Sequence, residues 1–407
     1  MSQCNLNIKQ RMIKKTLAIT IENLLYGGTT THLINLINNR NFRDFKIIVI
    51  TNRDNKGIKQ IKKSCNKHKI KIIYFDSYNT FKSKIFLFKL LFYILKPILF
   101  VFSVFQMVFI LKKIKFDLLL ADCGGYGDFR SEMASLIAGK ILNIKKRYLL
   151  IHHCYTRPKF WNFFIELVNI FISLTVTKVI FVSKATKDSI KKNTQLFKYP
   201  IKSKIIHNGV DIKKIKYKKL SYFETNRRIY KIGMLSRIEE YKGQLDLIDS
   251  FARLTRQEKS RYKIFFIGEG EKKFLSKVRK KIDFYELRKY FKIINYINVD
   301  SFVICKNLDM VISLTKDFEG FGYSLAESLA VGTPVISTNV GGTKELLNNK
   351  VAQIVKPQKI ELITNLLKDY LKNKKKWKQK AILGKKRIIK KFNSEIMAIK
   401  FHNLLLD

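Results

Sequence analysis

Acidic residues are scarce: 31 Asp and Glu stand against 80 Lys and Arg, a formal net charge of +49. An imbalance of that size fits a negatively charged partner, nucleic acid or an anionic membrane surface. It also fits plain drift toward Lys, Ile, Asn and Phe, as an AT-rich coding sequence would produce. No RNP-like aromatic strand, zinc finger or helix-turn-helix spacing is present, so nucleic acid is not expected as a partner. Cysteine is sparse and scattered. Cys4, Cys65, Cys123, Cys154 and Cys305 are odd in number and form no CxxC pair, so neither a disulfide framework nor a zinc site is indicated, and a reducing compartment fits. The N-terminus lacks the basic start, apolar stretch and small-residue cleavage site of a signal peptide. No DxD-type acidic pair sits in a suitable loop, so no metal is expected.

A long uninterrupted apolar run is missing too. Ile85 to Leu111 is apolar and aromatic, but Lys89, Lys96 and Pro97 interrupt it. The stretch after Pro97 is broken by Ser103 and Gln106 and falls short of the about 20 residues a span requires. Two helices packed on a sheet, one face touching membrane, are expected there, with a transmembrane helix as the less favoured alternative. Trp161 to Val176 has the helical spacing of ordinary core packing.

What the chain does have is enough length and apolar content for two cores: 407 residues, 46% of them hydrophobic. Short β-like runs alternate with helical stretches. Leu17 to Ile21, Phe45 to Thr51, Lys71 to Phe75, Leu118 to Ala121, Tyr148 to Ile151 and Val179 to Ser183 come first. Tyr199 to Asp211 reads as the crossover, with a short strand at Ile205-Ile206 and a turn at His207-Asn208-Gly209-Val210-Asp211. A polar link, Thr225 to Arg228, leads to a second set at Tyr230 to Leu235, Tyr262 to Ile267, Phe291 to Ile294, Met310 to Leu314 and Pro334 to Ser337. Such alternation predicts α/β with parallel strands, in two domains separated by a cleft. The expected division is 1–200, 201–385 and a C-terminal helix, 386–407, packing back on the first domain. Leu371 to Lys391 reads as a lysine-rich helix with a solvated face.

The first strand runs into Gly27-Gly28 and then a helix, the geometry of a βα turn facing a ligand. In the second half, Arg237 and Lys242 follow the end of a strand, where two cations can neutralise a diphosphate; taken alone, the pair also reads as a solvated basic loop. Glu319-Gly320-Phe321-Gly322-Tyr323-Ser324-Leu325-Ala326-Glu327 joins a strand to a helix whose first N–H groups can bind phosphate. Glu319 precedes the turn and Glu327 follows it, so one carboxylate can face a sugar and the other a ribose. Gly332-Thr333-Pro334 and Thr338-Asn339-Val340-Gly341-Gly342-Thr343-Lys344-Glu345 follow. His152 and His153 end a strand of the first half. Asp122 to Arg130 forms a loop with three readings: it meets an acceptor, shapes the cleft or is a plain turn.

This ordered combination resembles glycosyltransferase family 4, retaining enzymes with a GT-B fold, in which two Rossmann-like domains face each other across a cleft. The resemblance covers nearly the whole chain and is strongest from Ile205 to Leu347. It implies that Arg237 and Lys242 hold the donor diphosphate, Glu319 contacts the donor sugar and Glu327 the ribose. The backbone around Phe321, Gly322 and Tyr323 would meet sugar and phosphate, with Gly27 and Gly28 completing the phosphate site. Either His152 or His153 would match the family's histidine near the donor sugar. The family's glycine near Asn295-Tyr296, where the base approaches, is absent. The implied activity is hexosyl transfer from a UDP- or GDP-sugar to a glycan or lipid-linked acceptor in bacterial surface-polysaccharide or lipopolysaccharide synthesis. No cofactor is implied, and the expected location is cytoplasmic, peripheral at the inner leaflet. The rival readings are an anionic-lipid or nucleic-acid binder with a vestigial donor site and a GT-B epimerase.

Overall fold

A computed structural model describes residues 14–24, 27–65, 70–78, 86–155, 161–224, 229–295, 297 and 299–407. Its strands form two sheets. The first holds β1 (Lys15–Ile21), β2 (Phe45–Asn52), β3 (Ile70–Phe75), β4 (Leu118–Cys123), β5 (Lys146–Ile151), β6 (Lys178–Phe181) and β7 (Lys202–Ile205), in the order 3-2-1-4-5-6-7. The second holds β8 (Tyr230–Leu235), β9 (Tyr262–Ile267), β10 (Phe291–Ile294), β11 (Met310–Ser313), β12 (Val335–Thr338) and β13 (Gln353–Val355), in the order 10-9-8-11-12-13. Every pairing between these strands is parallel. The same doubly wound order thus occurs twice, and each sheet reverses direction once, beside β1 and beside β8. Ligand crevices open at such reversals, beyond the carboxyl ends of the strands. The expected pair of Rossmann-like domains is present.

Helices cover both faces of each sheet. In the first half they are α1 (Gly28–Ile37), α2 (Ile58–Ser64), α3 (Phe86–Lys112), α4 (Ser131–Ile141), α5 (Asn162–Thr175) and α6 (Lys184–Asn193). The second half adds α7 (Gln244–Ala252), α8 (Arg256–Lys259), α9 (Lys272–Phe284), α10 (Ser301–Lys306), α11 (Tyr323–Val331), α12 (Thr343–Leu346), α13 (Ile360–Lys372), α14 (Lys374–Lys391) and α15 (Ser394–Leu406). Successive residues of a strand face opposite ways. In β1, Leu17, Ile19 and Ile21 enter a core with α1, α2 and α15, while Ala18 enters another with α3, α4 and α5. Burial on both faces explains why these strands read as unbroken apolar runs rather than as alternation.

Several boundaries differ from the sequence reading. Lys202–Ile205 pairs with β6 as the edge strand of the first sheet, so that domain runs past residue 200. The boundary at 386 falls inside α14, a helix with an amphipathic rather than merely solvated pattern. Its Trp377, Ala381, Gly384 and Ile388 are buried, with Gly384 against Leu329 of α11. The chain returns to the first domain at Asn393, where Val210 accepts from the Ser394 N–H and donates to the Phe392 carbonyl, both at 2.9 Å. α15 then sinks Met397, Phe401, Leu404 and Leu405 into the first domain's core. Strand β13 was not foreseen. The Thr225–Arg228 link, Ile85 and Tyr296 lie outside the described residues.

The largest departure is α3. Pro97 was expected to separate two helices, yet Phe86–Lys112 is continuous. A proline inside a helix leaves the carbonyl four residues earlier without its amide partner. That carbonyl belongs to Tyr93, and the Trp161 indole Nε1–H donates to it at 2.6 Å. The missing backbone bond is replaced from the start of α5.

Phe401 is fully buried in the domain that its helix crosses over to complete. Phe401→Ala should lower unfolding free energy by about 3–5 kcal/mol, read by urea denaturation. A loss under about 1 kcal/mol would mean that α15 only rests on that core.

Candidate functional site

Four of the expected residues meet where the two crevices face each other. Arg237 follows β8, and Lys242 sits in the short turn leading to α7. Glu319 follows β11. Lys242 Nζ lies 2.7 Å from Glu319 Oε2, with side-chain exposures of 12% and 22%. The ammonium also lies 4.8 Å from the centre of the Tyr241 ring. Arg237 is steadied by Glu239 at 2.7 Å and by the Tyr241 hydroxyl at 2.9 Å. His153, from the end of β5, joins from the first domain, with its ring 5.1 Å from that of Phe318.

The charges of this group are coupled. Burial pushes the Glu319 carboxyl up, but Lys242, then His153 and Arg237, outweigh it and hold it below the ordinary carboxylate value. Burial also pulls Lys242 down, and Glu319 and Tyr241 more than reverse that. For His153, burial wins over the attraction of Glu319, and with Lys242 and Arg237 nearby its pKa falls. The resting site therefore holds an ammonium, a guanidinium and a carboxylate beside a neutral imidazole.

Backbone packing sets these side chains in place. Gly320 passes so close to the His152 carbonyl oxygen that a methyl group on its Cα would overlap it. On its other side the Gly342 N–H donates to the Glu319 carbonyl at 2.7 Å. Gly322 then takes φ +89°, a conformation that side chains resist, and starts α11. Gly28, at the start of α1, faces the Tyr323 ring at the start of α11, with 3.3 Å between that ring and the position of a Cβ on Gly28. Two helix N-termini, each a donor-rich positive end, thus converge from opposite domains. The Phe321 side chain is buried against Tyr323 and Phe392, so only its backbone is free to meet a ligand.

Other expected residues fall elsewhere. Glu327 is buried beside Ser301, Asp300 and Lys214, and burial raises its pKa to about 8. It is neutral near pH 7. The histidine pair splits. His152 turns inward, where its Nε2–H donates to Asp122 Oδ1 at 2.6 Å, and His153 alone joins the Lys242–Glu319 group. Behind His152 lies His32 of α1, with ring centres 4.7 Å apart, pushed down to about 3 by complete burial. The Asp122–Arg130 loop is tied from below: Asp128 pairs with Lys96 at 2.8 Å and the Tyr126 hydroxyl donates to Asn169 at 2.8 Å. Sequence reading gave no role to His32 or to Glu345. The Glu345 carboxylate accepts the Lys184 and Ala185 N–H groups at the start of α6 and lies 2.7 Å from His207 Nε2. A lone acid after a glycine pair carries no signal for such a partner 161 residues away. Among the described residues, no three His, Cys, Asp or Glu side chains are grouped to hold a metal ion.

Two cations at a strand end, an acid on one of them and paired helix starts suit an anionic, hydroxyl-bearing ligand. Residues 223–387 match the family model described as Glycosyl transferases group 1. The group 1 segment contains Arg237, Lys242, Glu319 and Glu327 and spans under half of the chain. Protein CapJ of Staphylococcus aureus is 28% identical over 180 residues, 44% of each chain, so the match spans less than half of that relative. Anabaena HepE, solved with UDP and glucose, superposes with a TM-score of 0.76 at 17% identity over 96% of this chain and 99% of its own. The lipopolysaccharide outer core galactosyltransferase WaaB superposes with a TM-score of 0.64 at 16% identity over 96% and 99%. At such identities the two structural likenesses are of fold.

Glu327 generates a pH prediction. Its folded pKa lies above the unfolded value of 4.5, so the folded protein binds the extra proton and loses stability as pH rises from 4.5 toward 8. The Tm of Glu327→Gln relative to the parent should therefore climb between those values; a constant difference would refute the assignment. A second prediction concerns Lys242→Met, which strands the Glu319 charge. It should cost about 2–3 kcal/mol at pH 7, less than the about 3–5 of a fully buried pair. Because Glu319 is depressed, that cost should fade as pH falls through its folded value, and urea titrations at pH 7 and in acid would show it.

Proposed function

We propose that this chain is a retaining, metal-independent hexosyltransferase that moves a sugar from a UDP- or GDP-sugar to a glycan or lipid-linked acceptor. The observation that carries the reading is the meeting of Lys242, Arg237, Glu319 and His153 beside two opposed helix starts. As the glycosidic bond breaks, negative charge grows on the departing diphosphate. Lys242 and Arg237 lie where they can receive it, and the N–H groups at the starts of α1 and α11 add fixed positive ends. Lys242 is held by Glu319 until a phosphate competes for it. Glu319 then accepts hydrogen bonds from the sugar hydroxyls, and neutral His153 offers one more polar contact. Glu327, on α11, is the candidate for the ribose. The acceptor hydroxyl would attack on the face the leaving group vacates, which gives retention; this part follows from likeness to family 4.

The surface-glycan role is supported by the group 1 match and by the fold shared with WaaB, a lipopolysaccharide outer core galactosyltransferase. It puts the enzyme in the cytoplasm, against the inner leaflet, where a lipid-linked acceptor is presented. No cofactor is required beyond the donor.

Lys242→Ala and Glu319→Ala should each lower turnover by about 10²-fold or more, measured as nucleoside diphosphate released from a panel of UDP- and GDP-sugars. Near-normal turnover in both would sink the reading. Recovery of an isomerised donor with no acceptor product would replace it with an epimerase.

A further inference from the structure

α3 and α5 present apolar side chains outward. Ile98, Val101, Phe102, Phe105 and Phe109 of α3 are each more than half exposed. At about 100° per residue they fall within one arc of about 100°. Phe100, Ser103, Met107 and Leu111 fall on the opposite arc and are buried toward α4 and the first sheet. α5 repeats the pattern, burying Ile165 and Ile172 while Phe163, Phe171 and Leu174 stand out. The bond from Trp161 to Tyr93 joins the two helices. Single exposed apolar residues mean little, but a ridge along two neighbouring helices marks an interaction surface.

The charge around the ridge selects its occupant. Lys112, Lys113 and Lys115 lie exposed where α3 ends, and Lys140 and Lys145 lie exposed where α4 ends. With a net charge of +49, a second copy of the chain would be repelled at this face. A surface with an apolar interior and anionic headgroups matches both features. We infer that the α3–α5 ridge seats in one leaflet of an anionic lipid bilayer, with α3 lying in the interfacial plane. Leu90–Lys112 is long and apolar enough to cross a membrane. Crossing would pull Phe100, Met107 and Leu111 out of the domain core, so the in-plane arrangement is the one that keeps the fold. The face itself is argued from exposure and charge; only its purpose, bringing the cleft to a lipid-linked acceptor, rests on the transferase reading.

The test uses the full chain with phosphatidylcholine vesicles, with and without phosphatidylglycerol. The chain has two tryptophans: Trp161 lies beside the ridge and Trp377 is buried in the second domain. Lipids brominated near the headgroup end of their chains should quench Trp161 more than lipids brominated near the terminal methyl. Phe102→Ser, Phe105→Ser and Phe109→Ser combined should weaken vesicle partitioning by about tenfold or more, leaving thermal unfolding and the shift with UDP- or GDP-sugars unchanged. Lys112→Glu, Lys113→Glu and Lys115→Glu combined should weaken it several-fold at low salt only. No binding of the parent chain to anionic vesicles, or equal binding by the serine variant, overturns the inference. So does a dimer in sedimentation that the serine variant dissolves without any vesicle binding. Vesicle binding without any response to nucleotide sugars sinks the transferase reading and leaves the membrane face standing.

Discussion

The candidate site depends on one close approach, the backbone of Gly320 against the carbonyl oxygen of His152. Two sheets with the same winding order would otherwise have crevices that merely face each other. Contact without any intervening side chain brings the ends of β5 and β11 within reach of the same small ligand. His153, one residue on from that carbonyl, then meets Glu319, one residue before the glycine. The Gly342 N–H holds the same strand end from behind. The charged group is thereby positioned by main chain, which has few ways to move.

Electrostatics within that frame are local rather than global. The overall charge of +49 has no direct part in Lys242 and Glu319 finding each other. Their pairing reflects a low-dielectric setting in which each raises the other's preference for its charged form, against the cost of burial. The same burial without a strong partner keeps Glu327 neutral. Two acids eight residues apart, alike in sequence, therefore enter opposite protonation states near pH 7.

Much of the fold was legible because parallel strands buried on both faces announce themselves as short apolar runs. All but one strand of the two sheets was foreseen; β13, three residues long, was too short to stand out. The cluster of Arg237, Lys242 and Glu319 was legible because each follows a strand, and strand ends in this topology converge. What sequence could not reveal was partner choice across space. His152 and His153 are adjacent and chemically identical, and only the extended backbone at the end of β5 sends one inward to Asp122 and the other toward Glu319. The buried Asp122–His152–His32 contact joins three elements far apart in the chain, and the grip of Glu345 on the start of α6 spans both domains. Pro97 misled for a related reason: its local rule is correct, but the remedy comes from Trp161, 64 positions downstream.

That remedy makes two substitutions unequal in effect. Pro97 and Trp161 are energetically linked, since the indole supplies the donor that the proline withholds from the Tyr93 carbonyl. Replacing the tryptophan would take from the Tyr93 carbonyl its side-chain donor, whereas replacing the proline would restore the helix's own amide and release the tryptophan from its duty. The two positions are thus unequal: the helix gains a bond of its own when the proline goes, and loses one when the tryptophan does.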